Sequence, residues 1–202
     1  MKKLATLLVF AIAITTASFA SNGNGDKTTY SVDTKASKVY WTGKKVTGEH
    51  TGYINLAGGE VFVDGTAVTG ANLNLDVTSI EVTDLQGEWK DKLVGHLKSD
   101  DFFSAEKHPV ANFKITSYKN DKVTGDLTIK GITNEVSFPA EVKVDGDALT
   151  ASGTASIDRT KWDIKYRSGK FFSDLGDNMI HDEFEIKFEL KATASEGATS
   201  SK

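Results

Sequence analysis

The chain has no cysteine, no internal repeat, no long apolar run beyond its first residues and no excess of positive charge. Each absence removes a class of protein. Without cysteine there are no disulfides and no lipid-modified anchor, so the fold must rest on its hydrophobic core. Lysine and arginine number 24 against 28 aspartates and glutamates, a net charge of −4. That balance argues against a nucleic-acid partner and against electrostatic docking on anionic lipid. There is no nucleophile elbow and no phosphate loop, and the four histidines, His50, His96, His108 and His181, have no metal-binding spacing. No catalytic residue, cofactor or metal site is read from motifs.

What is present begins with a targeting signal. Lys2 and Lys3 precede an apolar run over 4–14, and Ser18-Phe19-Ala20 offers small residues to a signal peptidase. Residues 1–20 are read as a cleaved signal peptide, because the run is shorter than the roughly 20 residues of a membrane span. Cleavage leaves 182 residues with a net charge of −6, and implies a periplasmic protein with no stable membrane anchor. Residues 21–28 are expected to be a flexible lead and 193–202 a disordered tail, flanking one domain over 29–192.

Within that domain, strand-like runs recur at 29–33, 38–43, 51–56, 60–64, 71–77, 110–118, 123–130, 135–144, 148–157 and 179–191, with turns at Gly58-Gly59, Asp64-Gly65 and Asp145-Gly146. The clearest alternation puts Val123, Gly125, Leu127 and Ile129 on one face, then, after a turn at 131–134, Val136, Phe138, Ala140, Val142 and Val144. The expected fold is all-β, an antiparallel barrel or sandwich. One segment differs: over 88–97, Trp89, Leu93, Val94 and Leu97 share a helical face, predicting a short helix packed near one end.

Two features leave the interior undecided. Ala151, Gly153 and Ala155 make a bare dry face opposite Phe184, Ile186, Phe188 and Leu190, which fits either interdigitation or a hole. Asp182 shares the dry face of its strand, so it needs a cation, and Arg159 and Arg167 are the chain's only arginines. The segment 157–175 mixes Trp162, Tyr166, Phe171 and Phe172 with lysines and both arginines, and is expected to form a mobile apolar lid over the barrel mouth.

The pieces together resemble the YceI-like family of exported, lipocalin-like, polyisoprenoid-binding proteins. The likeness runs through YSVDTKASKVYWTGKKV (30–46), LNLDVTSIEVTD (73–84), HLKSDDFFSAEKHPVANFKI (96–115), VTGDLTIKGITNEVSFPAEV (123–142), SIDRTKWDI (156–164) and LGDNMIHDEFEIKFEL (175–190), in order. The stretch 48–70 departs from the family's usual pattern. The resemblance implies an extended antiparallel barrel of about eight strands with a helix nearby, room for a homodimer, and an elongated apolar pocket. It implies a carrier for a lipid-like or isoprenoid small molecule. Expected lining residues are Trp41, Leu73, Leu75, Phe113, Leu127, Ile129, Phe138, Ala151, Ala155, Phe184 and Phe188, with His96, Arg159 and Arg167 toward a polar head. The alternatives are an enzyme using Asp182 and an arginine for acid-base chemistry on such a molecule, and a solid stress-response barrel.

Overall fold

The computed structural model describes residues 27–195; the expected signal peptide, most of the lead and the last seven residues of the tail lie outside them. Nine strands form one antiparallel sheet: β1 (Lys27–Val32), β2 (Lys38–Lys45), β3 (Gly48–Asp64), β4 (Ala67–Val82), β5 (Val110–Lys119), β6 (Lys122–Ile129), β7 (Ile132–Asp145), β8 (Ala148–Asp158) and β9 (Ile180–Ala194). Helix α1 (Gly87–Lys98) lies between β4 and β5. The sheet closes on itself, because β3 pairs with both β4 and β2, and β2 pairs with β9. The strand β1 adds no ninth position. It pairs with residues 60–64 of β3 and 192–194 of β9, continuing the slot that β2 fills beside 48–53 and 180–189. The result is an eight-position, closed lipocalin-like barrel. Pairing at Lys27 and Ala194 draws residues from the expected lead and tail into the sheet.

The alternation of β6 and β7 becomes a hairpin whose turn is Lys130-Gly131, both at positive φ (51° and 75°), with Ile129 opposite Ile132. This is the two-residue geometry that matches strand twist, so the turn sits earlier than the expected 131–134. The runs 51–56 and 60–64 prove to be one strand. At Gly58-Gly59 the chain does not turn; the β3–β4 register slips between Leu56 and Gly58. The buried side passes from Gly52 and Leu56 to Val61 and Val63, the parity change that one extra residue in a bulge produces. A larger slip in β4 sets Tyr53 against Glu81 but Asn55 against Asp76, so residues 77–80 loop inward and bury Val77 and Ile80. Ser79 Oγ accepts the freed Asn55 N–H at 2.8 Å.

The helix buries Leu97 and half-buries Leu93 and Val94, and its last carbonyls are capped by Ser99, whose Oγ donates to His96 O at 2.8 Å. Trp89, expected on the same packed face, is 71% exposed with Lys92 Nζ 5.0 Å over its ring. It lies two turns, about 12 Å, along the axis from Leu97, beyond the part of the helix anchored in the core. The expected lid over 157–175 is also corrected. Trp162 and Ile164 are fully buried, and Trp162 Nε1 donates to Leu127 O at 3.0 Å, so the segment plugs the barrel end and leaves only its tip, Phe171 and Phe172, strongly exposed among its aromatics.

Candidate functional site: an apolar cavity with one polar end

The barrel encloses a cavity of about 280 Å3. Three cross-strand arrangements keep it open. Phe188 of β9 lies over Gly153 of β8, where a Cβ would sit 2.8 Å from Cζ of the ring; Phe113 of β5 lies over Gly125 of β6 at the same 2.8 Å. Trp41 of β2 crosses Gly52 of β3, its Nε1 donating to Glu81 O of β4 at 3.1 Å. Glycine gives each ring a trough, so the aromatics lie along the wall instead of projecting into the lumen. Phe138 joins the two phenylalanines, with centroids 5.5 Å from Phe113 and 5.8 Å from Phe188. Interdigitation and hole therefore coexist: Gly153 is filled by Phe188, while Ala151 and Ala155 border empty space.

The side chains anticipated from the sequence fall out as follows. Trp41, Leu73, Leu75, Phe113, Leu127, Ile129, Phe138, Ala151, Ala155, Phe184 and Phe188 all lie on the cavity wall, as do His96 and Arg159. Arg167 does not. It is exposed, stacked on Tyr166 at 5.2 Å, with Nη1 reaching Asn178 Oδ1 at 3.4 Å. Its φ of 49° turns the chain there, so that Ser168 is buried and Arg167 points away from the lumen. Ile54, Leu56 and Val61 of β3 also line the cavity and were not anticipated. The signal for them was the parity change on either side of Gly58-Gly59.

Polar lining residues gather at the α1 end: Lys44 and Lys45 of β2, His50 of β3, His96, Arg159, and His181 and Glu183 of β9. Here β2 and β9 part company. Gly43 faces Phe184 but Lys45 faces Ile180, so three β9 residues stand against Lys44 alone. Arg159 stitches the gap. Only 2% exposed, it donates from Nη2 to Ile180 O (3.0 Å), from Nε to His181 O (3.0 Å) and from Nη1 to Ile164 O (2.7 Å). Asp182 is its counter-ion at 3.7 Å, and Lys170 reaches the other Asp182 oxygen at 3.4 Å. The Asp182 partner is thus Arg159, and the arginine expected to meet a ligand head spends its donors on the barrel rim. Burial pulls the Arg159 pKa down, opposed by Asp182 and Asp158.

His96 is the remaining polar group deep in this wall. Its ring packs edge-on against Tyr166 (centroids 4.4 Å apart) and Phe102 (5.2 Å). Burial lowers its pKa, opposed by Asp101 and reinforced by Arg167, so the imidazole is neutral at physiological pH.

A closed antiparallel barrel around an apolar cavity, capped by one helix, defines a lipocalin-like barrel class. Within that class the chain belongs to the YceI-like domain family, whose sequence profile matches residues 30–192. A UPF0312 protein of Staphylococcus aureus is 36% identical over 107 residues, half of this chain; the match spans 60% of that relative, less than two thirds of its length. Protein YceI of Escherichia coli O157:H7 is 31% identical over 140 residues, 63% of this chain and 70% of that protein. Among solved structures, BcnA of Burkholderia cenocepacia superposes with a TM-score of 0.64 at 28% identity, over 80% of this chain and 99% of BcnA. A polyisoprenoid binding domain from Saccharophagus degradans superposes at 0.62 and 16% identity, over 82% and 98%, a likeness of fold.

Proposed function

We propose that the protein is a periplasmic binding and carrier protein for a lipid-like amphiphile, such as an isoprenoid quinone or polyprenyl derivative, whose tail occupies the barrel cavity. The observation that carries this reading is the cavity itself: an apolar lumen whose charged and histidine side chains gather at one end. Its volume of about 280 Å3 lies just below the roughly 300–1,000 Å3 of small-molecule sites. Tail burial contributes roughly 0.8 kcal/mol per methylene-sized group before ordering costs. The name of the Saccharophagus degradans domain, polyisoprenoid binding, is in keeping with this chemistry. Export rests on the signal-like residues 1–20, which lie outside the described structure. Binding is favoured over acid-base catalysis because Asp182, the carboxylate that such chemistry would use, is held between Arg159 and Lys170.

Native mass spectrometry of protein purified from its own periplasm tests the proposal, with Ala151→Phe as the cavity-filling control. A bound lipid retained by the wild type and absent from a folded Ala151→Phe variant is the expected result. Wild type that carries no lipid and takes none up from added isoprenoids overturns it.

A further inference from the structure

The buried charge at the α1 end of the cavity is already committed, and most of the exposed charge is paired. Arg159 is committed to three carbonyls and Asp182; Lys44 pairs with Glu49 at 4.0 Å, and His50 with Asp84 at 2.7 Å. Lys45 lines the same end but is exposed to solvent and so is no buried cation. An anionic head drawn inside would therefore lose its hydration with no buried cation left to meet it, which disfavours its transfer from water.

Among the described residues, one buried hydrogen-bonding atom of the cavity-lining side chains is unused. His96 Nε2 is shielded from solvent and has no hydrogen-bond partner among the described residues. A buried polar atom in this condition is uncommon and calls for a partner that the folded chain does not provide. A neutral imidazole has one donor and one acceptor nitrogen. That pair matches a hydroxyl, a phenol or a ketone oxygen and offers no net charge to a phosphate. The surrounding rings of Tyr166 and Phe102 exclude water, so a hydrogen bond formed there has little competition.

We infer that His96 is a specificity-determining residue that selects amphiphiles with an uncharged, hydrogen-bonding head over those with an anionic head. The inference rests on the amphiphile-binding reading above and narrows its ligand class. A small adjustment of Tyr166 or Phe102 on binding brings the head to Nε2, a side-chain change common at binding sites.

The test is calorimetric titration with three ligands sharing one saturated C15 isoprenoid tail: farnesane, hexahydrofarnesol and hexahydrofarnesyl phosphate. The alcohol is expected to bind more tightly than farnesane by about fivefold to tenfold, the worth of one net hydrogen bond, and more tightly than the phosphate. His96→Phe should bring the ratio of alcohol to farnesane affinity to about one, whatever it does to tail binding, and His96→Gln should restore part of that ratio. The phosphate binding as tightly as the alcohol overturns the inference while leaving amphiphile binding in place. So does an advantage that survives His96→Phe. Failure of all three ligands to bind wild type instead removes the underlying reading and this one with it. Should His96→Phe not fold, the wild-type ranking and His96→Gln still decide.

Discussion

The two ends of the barrel are closed by different means. At the β1 end the strands close it with their own side chains: Tyr30, Val63, Leu149 and Ala192 are buried, and Tyr30 Oη ties the end by donating to Gly146 O at 2.7 Å. At the α1 end the closing pieces leave the sheet. They are the helix, the turn carrying Phe102 and Ala105, and the segment that inserts Trp162 and Ile164. Pieces that leave a sheet bury backbone groups without ladder partners, and those groups need polar side chains. Arg159 answers that need, and the same requirement brings Asp182 and Lys170 into the rim. The apolar end thus serves stability, while the polar end is where the cavity can meet a ligand head and where the barrel is vulnerable.

The sharpest way to break this contrast is Arg159→Met. It leaves three carbonyls without their donor and Asp182 with Lys170 alone, and losing one member of a buried ion pair costs about 3–5 kcal/mol. For a domain of this size the melting temperature should fall by roughly 10 °C or more, read by thermal denaturation. Lys170→Met, which removes an exposed lysine, should lower it far less. Equal effects would mean that the rim is not clamped through Arg159.

Gly153→Ala acts on the wall between the ends. The new Cβ would lie 2.7 Å from Pro139 O and 2.8 Å from Phe188 Cζ, so the Phe188 ring must swing into the lumen. A stability loss of about 1–3 kcal/mol is expected for such overpacking, together with a fall of about tenfold in affinity for an isoprenoid tail as volume is lost. Unchanged affinity in a folded variant would show that this level of the barrel is not occupied by ligand. At the β1 end, Val63→Ala should cost about 1–2 kcal/mol from lost burial and a small void. Tail affinity should stay within about twofold of wild type, since Val63 lies outside the cavity lining. A large affinity loss would erase the division of labour.

How far the sequence foretold this depends on the kind of contact. The walls were legible because β6, β7 and β9 alternate strictly, and a period of two states directly which side chains face inward. The course of β3 was not, since Gly58-Gly59 has the composition of a turn and only the parity change from Leu56 to Val61 betrays a bulge. Trp162 and Arg159 were hidden for another reason. The segment holding them has no period, and its burial follows from long-range partners, Leu127 O for one and the carbonyls of Ile164, Ile180 and His181 for the other. Asp182 lay between these cases: parity said that it needed a cation, and only the fold could choose Arg159 over Arg167.

The smallest expected effect is a pH dependence belonging to the α1 end alone. Burial holds the His96 pKa below its ordinary value of 6.5, with Asp101 opposing and Arg167 assisting. The unfolded chain therefore binds a proton at this site at a pH where the folded chain does not, and protonation favours unfolding. Stability contributed by the neutral ring is fully present above 6.5 and declines as pH falls from there toward the lower folded value. Carboxylates held low, such as Asp100 beside Lys107 and Ser104, act in a separate window, losing their contribution as pH drops below 3.8 through their folded values. Denaturant midpoints followed from about pH 7 to 5 should thus show a modest fall in wild type that is absent in His96→Phe, with both proteins failing alike below about pH 4. Parallel curves through the upper window would mean that His96 reaches water and is no buried group, and the polar end of the cavity would lose the shielded nitrogen on which head selection rests.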